Sequence, residues 1–85
     1  MALYFFDYRQ DGTLIPDPIG TECADDDAAR EEAVAALSEM AADLLVRYIP
    51  GTQIAYLVRR ADGAHMAEAE IIFELRPPTE RQASG

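Results

Sequence analysis

Two Asp-Gly pairs, Asp11-Gly12 and Asp62-Gly63, each sit between apolar, β-prone runs, and a long alanine- and acid-rich segment separates them. An Asp-Gly pair flanked in this way is a strong local hairpin signal, because a two-residue type I′ turn needs φ > 0 at both central positions. The chain therefore reads as hairpin, helix, hairpin. It is expected to form one ββαββ domain over residues 1–76, with a disordered polar tail over 77–85.

Strand one is expected over 3–10 and a short strand two over 13–15. A two-residue loop pairs Gln10 with Thr13, Arg9 with Leu14 and Tyr8 with Ile15. Tyr4, Phe6, Tyr8 and Ile15 then share one face, and Leu3, Phe5, Asp7, Arg9 and Leu14 the other. Pro16 and Pro18 cannot donate to a ladder, so 16–24 reads as a loop, with Gly20 at positive φ.

The helix should open after Asp25 as N-cap, with Asp26 and Asp27 in its first turn, where free N–H groups and the helix dipole favour carboxylates. Ala33, Leu37, Met40, Ala41, Leu44 and Tyr48 recur every three or four residues as one apolar stripe. Pro50 and Gly51 end it.

Strands three (53–60) and four (64–75) should pair Arg60 with His65, Val58 with Ala67, Tyr56 with Ala69, and Ile54 with Ile71. That register gives both strands one apolar face, extended by Phe73 and Leu75. The fold class is therefore α+β, with one long helix on one face of a four-stranded antiparallel sheet, strand order 2-1-3-4.

Seven arginines, no lysine and sixteen acids give a net charge of −9. Nucleic acids and anionic membrane surfaces call for a basic face, so neither is an expected partner. Cys23 is the only cysteine, so no intramolecular disulfide can form. Neither a signal segment nor an apolar run of membrane-spanning length is present, which points to the cytoplasm. Abundant Ala and Arg without Lys, Asn or Trp suggest a GC-rich, bacterial genome.

Few residues suggest chemistry. His65 is the only histidine, and strand alternation puts it on the face of Ala67, away from Glu68 and Glu70. It reads as a solvated hairpin-end residue. Acids around Cys23 should raise its thiol pKa, the reverse of what a nucleophile needs. Asp17, Glu22, Asp25, Asp26 and Asp27 could offer oxygen ligands to Ca²⁺ or Mg²⁺. They do not fit the spacing of an EF-hand loop, and helix capping accounts for the three consecutive aspartates. No catalytic, cofactor or metal residue is therefore assigned, and the chain is not expected to be an enzyme.

Tyr4-Phe5-Phe6-Asp7, Asp11-Gly12, Asp17, Gly20-Thr21-Glu22, Asp25 and Ala28-Ala29-Arg30-Glu31-Glu32-Ala33 together resemble a family of short bacterial proteins catalogued only as a domain of unknown function. The resemblance spans roughly residues 1–75 and implies a stand-alone soluble domain with no assigned catalytic residue. Members usually carry Leu-Pro-Asp-Leu where this chain has Cys23-Ala24-Asp25-Asp26, so an acid stands at 26 in place of an apolar staple. In layout the chain is also similar to the partial ribonuclease-H-like antitoxins, which share the hairpin, the acidic loop with a Gly and the Asp-rich helix cap. That likeness implies an antitoxin-like partner protein, although no separate DNA-binding segment accompanies it.

A single helix covers one face of a sheet. The other should display Leu3, Phe5, Leu14, Ala55, Leu57, Met66 and Ile72 among Asp7, Arg9, Arg59, Glu68 and Glu70. Apolar patches of this kind often mark a partner surface. The expected function is a non-enzymatic interaction or regulatory module acting as a homodimer, with an unidentified protein as a further partner. Leu3, Phe5, Arg9, Leu14, Leu57, Arg59, Met66, Glu68 and Ile72 form its candidate interaction face. Arg9 and Arg59 would meet Glu68, Glu70 or Asp7 of a second copy. Strand four, at the sheet edge, offers a second route by pairing with its own copy. The alternative is a small ligand- or metal-binding protein using the acidic loop before the helix.

Overall fold

The first strand is the spine of the sheet. In the computed structural model, which describes residues 1–47 and 51–78, β1 (Ala2–Gln10) turns through Asp11 and Gly12 into β2 (Thr13–Ile15). Both turn residues have positive φ, 50° and 86°, as a type I′ turn requires. The pairs are the expected Tyr8 with Ile15, Arg9 with Leu14 and Gln10 with Thr13. Asp11 also anchors the turn to the strand on the other side of β1. Its N–H donates to the Gln53 carbonyl, and its Oδ1 accepts from the Gln53 N–H, both at 2.9 Å.

The stretch expected as a loop holds a strand. Residues Thr21–Cys23 form β3, which pairs Thr21 with Tyr4, Glu22 with Leu3 and Cys23 with Ala2. It continues the β1 edge that β2 begins. Between the two, residues 16–20 stand opposite only Phe5, Phe6 and Asp7, so the edge strand carries a two-residue excess. Asp17 fills the gap. Its Oδ2 accepts from the Phe6 N–H at 3.1 Å, and its Oδ1 from the N–H groups of Ile19 and Gly20 at 3.0 and 3.1 Å. Gly20 lies at φ 83°, where a Cβ would come within 3.1 Å of Phe5 and the Tyr4 carbonyl. Positive φ and close approach both call for glycine there.

The helix α1 (Asp26–Arg47) opens as expected: Asp25 Oδ1 accepts from the Ala28 N–H at 2.8 Å. Asp26, the acid read at the staple position, is engaged at the helix entrance. Its carboxylate accepts from Tyr4 Oη at 2.7 Å and from Arg60 Nη2 at 2.5 Å, fixing the helix start to the sheet. Ala29, Ala33, Leu37 and Leu44 are buried, and Met40 is half-buried. The stripe position Tyr48 and the stop at Pro50 lie outside the described residues, as does the expected tail from Thr79 onward.

The second hairpin joins β4 (Gln53–Arg60) to β5 (His65–Ile72). Val58 with Ala67, Tyr56 with Ala69 and Ile54 with Ile71 pair as expected, but His65 sits opposite Arg59 rather than Arg60. Two compensating irregularities explain this. At Asp62-Gly63 only Gly63 has positive φ, and Arg60 closes a three-residue loop with Gly63 and Ala64 at 2.9 and 2.8 Å. This is a three-residue loop with glycine at the left-handed position. Met66 is then the extra residue of a bulge that restores the register before Ala67.

Five strands therefore make the sheet, not four in the order 2-1-3-4. The path is β2-β1-β4-β5, with β3 also on β1, and counting β3 renumbers the expected strands three and four as β4 and β5. All pairings are antiparallel. The helix lies over β4 and β5, and the core beneath it has two halves. Tyr4, Cys23, Ala29, Ala33 and Val58 form one, and Leu37, Leu44 and Ile54 the other. Tyr56 packs against both halves, its ring 5.2 Å from that of Tyr8.

Candidate interaction surface

The face away from the helix is built from alternate residues of β1, β4 and β5. At its centre is Asp7, only 4% exposed. Arg59 donates to it twice, Nε to Oδ2 at 2.6 Å and Nη2 to Oδ1 at 3.1 Å. The Asp17 N–H adds a third bond to Oδ1 at 2.9 Å. Chiefly through the Arg59 hydrogen bonds, and despite burial, the Asp7 carboxyl is held below the ordinary range. Burial also pushes Asp17 upward, but the N–H groups of Gly20, Ile19 and Phe6 outweigh it and leave that carboxyl lowered.

Arg59 lies over the Phe5 ring with its guanidinium carbon 4.8 Å from the centroid, a cation–π arrangement that shields the ring. One turn of the pleat along, Arg9 Nη2 reaches both Glu68 Oε2 and Glu70 Oε2 at 2.9 Å. Ala55, between them, is fully covered. The charges expected to meet those of a second copy are thus paired within the chain, because Arg9 and Glu70 stand level on either side of Ala55 in β4, and Arg59 is the diagonal neighbour of Asp7 across β1 and β4.

Of the nine candidate face residues, Leu3, Leu14 and Ile72 are the exposed apolar ones, the last two half exposed and at the same end of the sheet. Phe5 and Leu57 are half-buried. Met66 does not belong to this face. The bulge turns it to the helix side, against the core half that contains Tyr4 and Val58. The same bulge brings His65 into register with Arg59, on the Asp7 side rather than with Ala67.

A second feature runs along the seam between α1 and β5, where the strand's helix-side residues are Ala67, Ala69 and Ile71. Small side chains there leave two shallow depressions. One, of about 180 Å³, is lined by Arg30, Ala33, Val34, Ala67, Glu68 and Ala69. The other, of about 130 Å³, lies among Ala41, Leu44, Leu45, Ile71, Ile72 and Phe73. The alternation of small and large side chains on strand four carried this seam in the sequence, but only the position of the helix over β4 and β5 gives it a second wall.

Each aspartate of the acidic loop is engaged. Asp17 holds the edge loop, Asp25 caps the helix, Asp26 binds Tyr4 and Arg60, and Asp27 pairs with Arg30 at 2.7 Å. Among the described residues no group of three or more His, Cys, Asp or Glu side chains is arranged to hold a metal ion. Cys23 is buried, and that burial, with Glu32 and Asp25 nearby, raises its thiol pKa. No described helix is long and apolar enough to cross a membrane.

These features define a small α+β protein, one helix on a five-stranded antiparallel sheet, whose internal ion pairs serve its own loops and faces. A family model described as Domain of unknown function (DUF6894) matches residues 3–72, and the chain belongs to that family. Neither the search of curated proteins nor that of solved structures gives a match.

Proposed function

We propose that the chain is a non-enzymatic interaction module whose working unit is a homodimer. The observation that carries this reading is β5. It is an eight-residue strand without proline that, among the described residues, pairs on one side only, next to the exposed apolar side chains Val34, Leu45 and Ile72. An open edge beside apolar side chains is a ready template for another strand. A small domain also buries a modest fraction of its surface alone, so association adds stability it would otherwise lack.

The outer sheet face supports the same reading in a secondary way. With Asp7 tied to Arg59, and Arg9 bridging Glu68 and Glu70 in a cluster of net charge −1, each charge near the centre of the face already has a partner of opposite sign. The acidic loop favours the capping role over a ligand site, since each of its aspartates already holds a hydrogen bond or ion pair. Light scattering at micromolar concentration tests the proposal: the expected mass is that of two chains, and the mass of one chain rejects the homodimer.

A further inference from the structure

We infer that two copies join through β5, antiparallel about a two-fold axis, so that their sheets become continuous and their α1 helices pack side by side. The inference rests on the homodimer reading and names its contact.

The two edges of the sheet differ in kind. On one, β2 and β3 are three residues each, and the loop between them carries Pro16 and Pro18. Such an edge is blunted against strand addition. On the other, among the described residues, the backbone of β5 is open in a definite pattern. The Phe73 N–H donates to the Thr52 carbonyl of the neighbouring chain segment. Antiparallel alternation then directs the odd-numbered residues of β5 toward β4, and the N–H and C=O groups of Glu68, Glu70 and Ile72 outward.

The position of the helix makes a second copy the fitting occupant. Lying over β4 and β5, α1 is about half a strand spacing inside β5, and the two-fold axis would fall another half spacing outside it. With strands about 4.8 Å apart, the two helix axes come to roughly 10 Å, the separation at which helices pack. The flank that would meet is Val34, Ser38, Ala41 and Leu45, at steps of four, three and four along one side of the helix. Val34 and Leu45 are at least half exposed, and the two smaller residues between them permit close approach.

Charge selects the register. A perpendicular two-fold keeps equal faces together, so paired residue numbers sum to an even value. Centring on Ala69 sets Glu68 against Glu70 of the second copy, and centring on Glu70 sets two Glu70 residues together, both unfavourable. Centring on Ile71 instead opposes Glu70 with Ile72 and places Ala69, Ile71 and Phe73 along the helix side. It leaves as its one Glu–Glu pair Glu68 with Glu74, whose carboxylate is already paired with Arg76 of its own chain.

The experiment is light scattering of the full chain with Glu70→Pro and Leu45→Glu, alongside residue-resolved hydrogen exchange. Proline at 70 removes an outward N–H and no bond to β4, so a folded monomer is expected. Leu45→Glu, on an exposed helix position, should raise the dimer dissociation constant at least tenfold. In wild type the amides of Glu68, Glu70 and Ile72 should be protected, and in Leu45→Glu they should exchange freely. Leu3→Glu, on the outer face, should remain dimeric. A dimer that survives both Glu70→Pro and Leu45→Glu, with those three amides unprotected, overturns the edge contact and leaves the homodimer standing. A wild-type chain of single mass overturns both. If Glu70→Pro fails to fold, Leu45→Glu and the exchange pattern decide the matter.

Discussion

One carboxylate, Asp17, takes the place of several ladder carbonyls. By accepting from Phe6, Ile19 and Gly20 it satisfies N–H groups that the five-against-three mismatch would otherwise strand. Asp17→Ala should therefore cost about 1–3 kcal/mol in a denaturant melt. Asp7 and Asp17 both have lowered folded-state pKa values, so their contribution is complete above the unfolded value of about 3.9 and is lost as pH falls through the depressed ones. The melting temperature of wild type should drop in acid over that window, and that of Asp17→Ala should drop less. Asp25 has a simpler role. As an N-cap, its replacement by Ala should cost roughly 0.5–2 kcal/mol whether or not calcium is present. A calcium-dependent rise in melting temperature that the variant lacks would instead favour the metal reading.

At the scale of elements, what was legible in the sequence is what simple periodicity and a single turn type can carry. The helix span, the first hairpin and the register from Val58–Ala67 to Ile54–Ile71 follow from apolar spacing, which agrees between partners. The strand β3 was not legible. Three residues, Thr21 to Cys23, cannot display alternation, and Pro16 and Pro18 signal a loop truthfully for the residues just before it. The second turn misled for a different reason: Asp-Gly serves a three-residue loop as readily as a two-residue one, and the choice shifts His65 and Met66 to other faces. The ion pairs of Arg9 and Arg59 were foreseen by residue and not by chain, because sequence alone does not tell a neighbouring strand from a second copy. The helix face is open to direct test. Leu37 is 3% exposed in the core half beneath the helix, so Leu37→Ala should cost about 2–5 kcal/mol in denaturant melts. A loss below about 1 kcal/mol would be incompatible with that packing.

For the molecule as a whole, the decisive property is that its sheet ends differently on its two sides. Polymer chemistry has a word for a unit with one reactive end: it is monofunctional, and it stops growing once it has joined a single partner. A strand-rich protein with two open edges is difunctional, and nothing but concentration limits how long its assemblies become. Here Pro16, Pro18 and the excess residues around Asp17 act as the end group. Deleting Pro18 and Ile19 while replacing Pro16 by Thr would set three residues opposite Phe5, Phe6 and Asp7 and straighten that side. Such a variant should scatter as a broad series of masses growing with concentration, where the proposed dimer would stop at two.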